Sequence, residues 1–304
     1  MTRVLLTGAS GFCGRHLARY LSAEGVDVYP MRAFSPSASP LSQLEALDVA
    51  ALTPVIRQTR PDYVLHLAGV AATEHPALYY VINASYAAAL LRALEAAGHG
   101  RVPVLLVGTA AEYGKISAGR LPVDEECPPA PYSDYGVSKL AQTLLGLAAA
   151  GRGRPIVVAR PFNIIGPGMP GHLVLQAFSE QVGRIARGEI PPVLRVGNLD
   201  SARDFVDVDD VVRSYWKLVQ TPAAYGQVVN VCSGAPVTIR TALEAMLALA
   251  GVDVDVQIDP ARVKALDIPV HYGSRAKLDR LIGDTVTTPF TSSLERIVSA
   301  VLSP

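Results

Sequence analysis

The chain has 304 residues, of which 50% are hydrophobic and 18% charged, with 27 Lys and Arg against 27 Asp and Glu. Such a length supports a large core and more than one lobe, and such a composition excludes a disordered chain. Zero formal net charge removes any long-range pull on nucleic acid, so no nucleic-acid partner is expected.

Short β-branched or Leu-rich runs alternate with longer Ala/Leu-rich stretches through the first half. Arg3 to Thr7 reads as a strand, Arg15 to Glu24 as a helix ending at Gly25, and Val26 to Met31 as a second strand. The Ser- and Pro-rich stretch Arg32 to Pro40 reads as a loop. Asp62 to Leu67, Val102 to Gly108 and Pro155 to Arg160 are further strand-like runs, separated by helical stretches near 77–97 and 135–150. Residues 114–134, with Pro122, Pro128, Pro129 and Pro131, read as a loop. This alternation predicts an α/β fold, a Rossmann-like doubly wound parallel sheet with helices on both faces. After Pro161 the alternation weakens and Pro and Gly crowd together up to Gly171, which predicts a smaller C-terminal substrate-binding lobe. The expected division is 1–160 for the dinucleotide domain and 161–304 mainly for the second lobe, with about 200–235 returning to the sheet.

No apolar run nears the roughly 18 residues of a membrane span, and the apolar stretch before Gly8 is too short for a signal peptide. Cys13, Cys127 and Cys232 are few and scattered. They fit a reducing cytoplasm better than a disulfide framework. No Cys-x-x-Cys pair and no zinc-type His spacing occurs, so no metal is expected.

Thr7-Gly8-Ala9-Ser10-Gly11-Phe12-Cys13-Gly14 follows a strand and opens a helix. One glycine of such a turn allows the tight bend, one the approach of a pyrophosphate, and one the packing of helix on strand. The helix start then offers free N–H groups to phosphate. Gly8, Ser10, Gly11, Phe12, Cys13 and Gly14 are therefore expected at the cofactor, with Cys13 as a space-filling residue without chemistry. No acid ends the second strand to hold the adenine ribose of NAD; Arg32 stands there, with Ser35, Ser37 and Ser39 following. An arginine among hydroxyls suits the 2′-phosphate of NADP(H), so NADP(H) is expected to be preferred, with NAD(H) as the lesser cofactor. Asp48 and Val49 are placed beside the adenine, and Leu67, Ala68 and Gly69 at the cofactor edge of the sheet.

Tyr135-Gly-Val-Ser-Lys139 puts Tyr and Lys at i and i+4, on one helix face. A tyrosine near its reference pKa of about 10 is a poor proton shuttle at neutral pH, and a neighbouring ammonium stabilises its phenolate. Thr109, at the end of the Val102 to Thr109 run, is the candidate hydroxyl for orienting a substrate carbonyl.

At these residues the chain resembles the extended short-chain dehydrogenase/reductases that act on nucleotide sugars, and the likeness covers nearly its whole length. It rests on Thr7 to Gly14, His66 to Gly69, Asn83, Gly108 to Gly114, the Tyr135/Lys139 pair, Arg160-Pro-Phe-Asn163 and Arg203-Asp-Phe205. Arg160 to Gly168, Pro192 to Asp200 and Ala202 to Phe205 most resemble the GDP-4-keto-6-deoxy-D-mannose reductases. The resemblance implies Pro161 and Phe162 beside the nicotinamide, Asn163 at the substrate, and Arg203 on the nucleotide diphosphate. Arg195 and Arg275 are further candidates for the nucleotide. In related sugar dehydratases the Thr is followed at once by acids that eliminate water. Here Ala110 and Ala111 follow, and the acid comes one place later as Glu112, assigned to the substrate side. The implied function is NADPH-dependent reduction of a nucleotide-activated 4-keto-6-deoxyhexose. The alternative is a nucleotide-sugar 4-epimerase with tightly bound NAD. A homodimer through the Ala/Leu-rich helices near 77–97 and 132–150 is expected, because the family often pairs this way.

Overall fold

The computed structural model of the chain describes residues 1–31, 48–262, 268–283 and 287–302. Arg32 and the serines after it lie outside the described residues.

Six parallel strands form the large sheet: β1 (Arg3–Thr7), β2 (Asp27–Met31), β3 (Tyr63–His66), β4 (Val104–Val107), β5 (Ile156–Pro161) and β9 (Val228–Val231), in the order β2-β1-β3-β4-β5-β9. Period-two alternation explains why both faces are covered. Val4 and Leu6 of β1 point to one side, where they join Leu17 and Leu21 of α1 (Phe12–Ala23) and Val211, Val212 and Tyr215 of α6 (Val208–Val219). Leu5, between them, points to the other side and joins Ile56 of α2 (Val49–Thr59), Leu90 and Leu94 of α3 (Pro76–Ala96) and Ala149 of α4 (Asp134–Ala150). Pro30 sits in β2, the edge strand, where a missing N–H leaves no ladder bond broken in a neighbour.

α3 corrects the expectation that no segment is long and apolar enough for a membrane. Its 21 residues meet both criteria, because Ala, Val and Ile fill the gaps between its leucines. Tyr86, Ala87, Leu90, Leu91, Ala93 and Leu94 are buried against the sheet, which makes α3 a core helix.

A smaller sheet is built around β8 (Ala202–Asp207). β10 (Pro236–Thr238) pairs with it antiparallel, while β6 (Asn163–Ile165) and β12 (Val270–His271) pair with it parallel. α5 (Val174–Ala186), α7 (Ile239–Ala250) and α9 (Phe290–Leu302) close over this part through Phe178, Val182, Leu243, Met246, Leu294 and Ile297. A third pairing joins β7 (Val193–Val196) to β11 (Asp255–Ile258). Within 200–235, β9 and α6 belong with the large sheet, whereas β8 is the centre of the small one. α8 (Ala276–Ile282) also reaches the large-sheet core, through Leu278.

The Asp204 to Asp210 run is occupied by structure. Asp204 accepts from Ser233, Gly234 and Gly273 N–H groups and so staples β12 and the β9–β10 turn to β8. Asp207 caps α6 through the Asp209 N–H, and Asp207 and Asp209 share Arg296 of α9.

Candidate active site

The chain reverses direction across the sheet between β1 and β3, and ligands of open parallel sheets lie outside the strand C-termini at such a point. Thr7, the last residue of β1, fixes that edge: its Oγ1 lies 2.8 Å from His66 Nδ1 and accepts the Ala68 N–H at 3.1 Å. Gly8 has φ +72°, and a Cβ there would come within 2.6 Å of the Ala68 nitrogen, so both backbone and space demand glycine. A Cβ on Gly14 would sit 2.0 Å from the Gly8 carbonyl oxygen, whereas one on Gly11 would meet only that oxygen, at 3.3 Å. Gly14 thus serves packing, and Gly11 leaves the turn open to a ligand. Gly11 caps α1 without a side-chain hydrogen bond, so the first N–H groups of a 12-residue helix remain available. This cradle fits the pyrophosphate of a dinucleotide. Arg15 donates to Ser10 O and Gly168 O, linking the turn to the second lobe.

Leu67, Ala68 and Gly69 leave β3 beside that turn, and a Cβ on Gly69 would lie 3.7 Å from Lys139 Nζ. Phe12 and Cys13 line the cleft, and burial pushes the Cys13 thiol up to about 12, which keeps it neutral. Asp48 is exposed at the start of α2, and Val49 packs against the core under the sheet.

Tyr135 and Lys139 lie in the first two turns of α4, which Ser133 caps by accepting the Gly136 N–H. A Cβ on Gly136 would be 2.9 Å from the Ala111 carbonyl oxygen, so this glycine lets α4 approach the 3₁₀ turn Ala110–Glu112. That approach brings the Tyr135 hydroxyl close to the Thr109 side chain. Burial raises the Tyr135 pKa; the Thr109 side chain opposes the rise and the Glu112 charge adds to it. Lys139 is buried, donates from Nζ to Gln142 Oε1 at 2.8 Å, and has its pKa lowered by burial to about 8. Gln142 in turn donates to Val107 O. His66 is neutral because burial, followed by the nearby Lys139 charge, lowers its pKa to about 3. Asn83 occupies a π-turn (Val81–Ser85) within α3, where its amide bonds both backbone groups of Val70 and donates to Ser138 Oγ.

Between these residues and the small sheet lies a cleft of about 520 Å³. Thr109, Tyr135, Pro161, Phe162, Asn163 and Arg203 all line it, so the structure brings both halves of the expected site together. Asn163 is held by donating to Asp204 O, and Arg203 by donating to Ala202 O and Ile268 O. Among the described residues no Asp or Glu lines the cleft.

Three expected substrate residues do not line the cleft. Glu112 is fully buried on the far side of the turn, with Oε1 accepting the Thr109 N–H and Oε2 paired with Arg160. A carboxylate so enclosed and so partnered has no free face for substrate. Arg195 is exposed on β7 and lines a separate groove with Gln181, Gln257 and Arg262. Arg275 stands at the start of α8 and is gripped by Asp279 one turn on. Conversely, His172, His271 and Tyr132 line the cleft without any motif to announce them. Gln142 carried one signal: it lies three residues after Lys139, on the same helix face.

A family model described as the NAD dependent epimerase/dehydratase family matches residues 4–232. The chain belongs to this family. It is therefore a nicotinamide-dependent enzyme. It is 35% identical to a GDP-6-deoxy-D-mannose reductase of Pseudomonas aeruginosa over 98% of this chain and 96% of that protein. It is 30% identical to a dTDP-6-deoxy-L-talose 4-dehydrogenase (NAD(P)(+)) of Kitasatospora kifunensis over 85% of this chain and 82% of that protein. A solved structure of RMD from P. aeruginosa in complex with NADPH superposes with a TM-score of 0.88 at 33% identity, covering 100% of this chain and 99% of that one.

Proposed function

We propose that the protein is an NADPH-dependent ketoreductase acting at C4 of a nucleotide-activated 4-keto-6-deoxyhexose, of the GDP-4-keto-6-deoxymannose type. The observation that carries this reading is a cleft that holds Thr109 and Tyr135 but, among its described residues, no carboxylate. Protonating a new alkoxide needs one acid, whereas eliminating water needs an acid and a base. The likeness to a GDP-6-deoxy-D-mannose reductase and to a structure solved with NADPH supports the substrate class and the cofactor.

When bound, NADPH supplies the hydride for the carbonyl carbon. The Gly8 to Gly14 turn would hold its pyrophosphate, Asp48 and Val49 its adenine side, and Leu67, Ala68, Gly69, Pro161 and Phe162 its nicotinamide side. The Thr109 hydroxyl orients the carbonyl oxygen, and the Tyr135 hydroxyl donates the proton to it. The Lys139 ammonium stabilises the phenolate left behind. Asn163 contacts the sugar and Arg203 the diphosphate, whose oxygens match a guanidinium fork. Arg32 would select the 2′-phosphate. Residues 1–160 thus serve the cofactor, and 161–304 mainly the substrate.

The test is stoichiometric oxidation of NADPH with purified GDP-4-keto-6-deoxymannose and analysis of the deoxysugar formed. Tyr135→Phe is expected to lower kcat by about 10²-fold or more with NADPH binding retained; full activity in that variant would overturn the assignment. Co-purified NAD with interconversion of C4 epimers, and no net NADPH use, would favour the epimerase. A higher kcat/KM with NADH than with NADPH would defeat the role given to Arg32.

The protein is further proposed to be a cytoplasmic homodimer. Val137, Leu144 and Leu145 of α4 and Tyr80 of α3 are large, apolar and exposed, and a second copy would cover them.

A further inference from the structure

We propose that Glu112 is a positioning residue, a buried carboxylate that holds Thr109 in its working orientation and supplies the fixed negative charge beneath the Tyr135–Lys139 pair. This inference rests on the catalytic reading of those three residues. The Thr109 side chain accepts the Ala111 N–H at 3.3 Å, and Glu112 Oε1 accepts the Thr109 N–H at 2.9 Å, so the Thr109 backbone is clamped from both ends of a capping box. Most capping boxes sit at the solvent edge. This one is sealed: Glu112 is 0% exposed, and its second oxygen receives Arg160 Nη2 at 2.7 Å.

Room for that carboxylate is built into the sequence. A Cβ on Gly108 would stand 2.4 Å from Glu112 Oε1, so the side chain can fold back over β4 only because residue 108 is glycine. Arg160 is fixed in turn. Its guanidinium lies 4.3 Å from the centre of the Tyr113 ring, and the Tyr113 hydroxyl donates to Asn230 Oδ1 at 2.7 Å on β9. Thr109 is thereby referenced to β4, β5 and β9 at once. Burying two charges is costly, and a buried ion pair contributes little to stability on that account. A role in placing the site explains the arrangement better.

The charged and titratable groups facing this carboxylate are Arg160 from β5, Tyr113 from its own turn, and Tyr135 and Lys139 from α4. The Lys139 charge lowers the pKa of His66 on β3, Glu125 raises that of Tyr113, and Cys13 and Tyr79 face Tyr135. Glu112 raises the pKa of both Tyr135 and Lys139. Removing the carboxylate therefore makes both groups lose their protons at lower pH.

The experiment uses the full chain with NADPH and the keto-sugar. Glu112→Gln keeps an acceptor for the Thr109 N–H and removes the charge. The expected result is kcat reduced about tenfold or more with NADPH Kd within about twofold, and the basic limb of the kcat–pH profile moved to lower pH. A merely structural defect would lower kcat without moving that limb. A second readout needs no substrate: phenolate absorbance, taken as the difference between each protein and its Tyr135→Phe counterpart, should titrate earlier in the Glu112→Gln background. If Glu112→Gln does not fold, Glu112→Gln with Arg160→Met leaves no lone buried cation and carries the same expectations. A folded variant with wild-type kcat and an unmoved limb overturns the proposal, as does failure of both variants to fold, which would make Glu112 a stability residue. Wild-type inactivity on keto-sugars would instead count against the proposed reaction, leaving the absorbance titration to decide the role of Glu112.

Discussion

In the proposed reaction Lys139 must stay charged to support Tyr135, and burial has brought its pKa down to about 8. In the reductive direction the enzyme needs both the ammonium and the phenol protonated. Turnover is therefore expected to hold through neutral pH and to fall as pH rises through about 8, which a kcat–pH profile at saturating NADPH would reveal. The Tyr and Lys of this pair are legible in sequence because i and i+4 is a local relation that a helix turns into proximity. Glu112 is not legible in that way. Its type suggests a cleft acid, but its direction is set by Arg160, 48 positions away in the chain, and by the space left at Gly108. Gly14 gives the opposite case. Its spacing announces a dinucleotide turn, and the Gly8 carbonyl 2.0 Å from a would-be Cβ gives the reason. Gly14→Ala is expected to cost about 1–3 kcal/mol by overpacking and to weaken NADPH binding, measured by thermal unfolding with and without cofactor.

At the level of elements, strands in the first half follow from buried β-branched runs and helices from Ala/Leu-rich stretches. β8 is harder to read. Its six residues carry three neighbours from separate parts of the chain, β6, β10 and β12, and each of those strands is only two or three residues long. Strands so short have no period to detect; they exist because β8 offers them a ladder. Asp207 at the end of β8 illustrates how such joints hold. It caps α6 through the Asp209 N–H, accepts Ser293 Oγ and pairs with Arg296, so one carboxylate joins β8, α6 and α9. Asp207→Ala is expected to destabilise by at least about 1 kcal/mol from the lost cap alone, and by more because Arg296 and Ser293 lose an acceptor. Thermal or denaturant unfolding would measure it, and an unchanged midpoint would contradict that role.

Across the whole molecule two buried imidazoles make the fold acid-sensitive. Burial lowers the His66 pKa to about 3 and the His271 pKa to about 4, against 6.5 when exposed. Both folded values are depressed, so the unfolded chain binds more protons below 6.5. Stability is then full above that pH and declines as pH falls toward 4 and 3. The midpoint of thermal unfolding followed from pH 7.5 to about 4 should drop; a flat curve would deny it. α4 also presents an exposed apolar face, with Val137, Leu144 and Leu145. Leu144→Glu should shift a dimer to monomer in analytical ultracentrifugation while leaving the fold intact, and no shift would place any interface elsewhere.

By itself the sequence determined the fold class, the glycine turn that opens α1 and the closeness of Tyr135 and Lys139 on one helix, because each follows from neighbours within a few residues and from the period of one element. Tertiary structure decided which side chains share the cleft. It turned Glu112 inward to Arg160, set Arg195 on another groove, gave Arg275 to Asp279, and brought His172 and His271 to the wall beside Arg203. Those outcomes depend on strand order and on where a glycine leaves room for a side chain. Neither is a property of spacing along the chain.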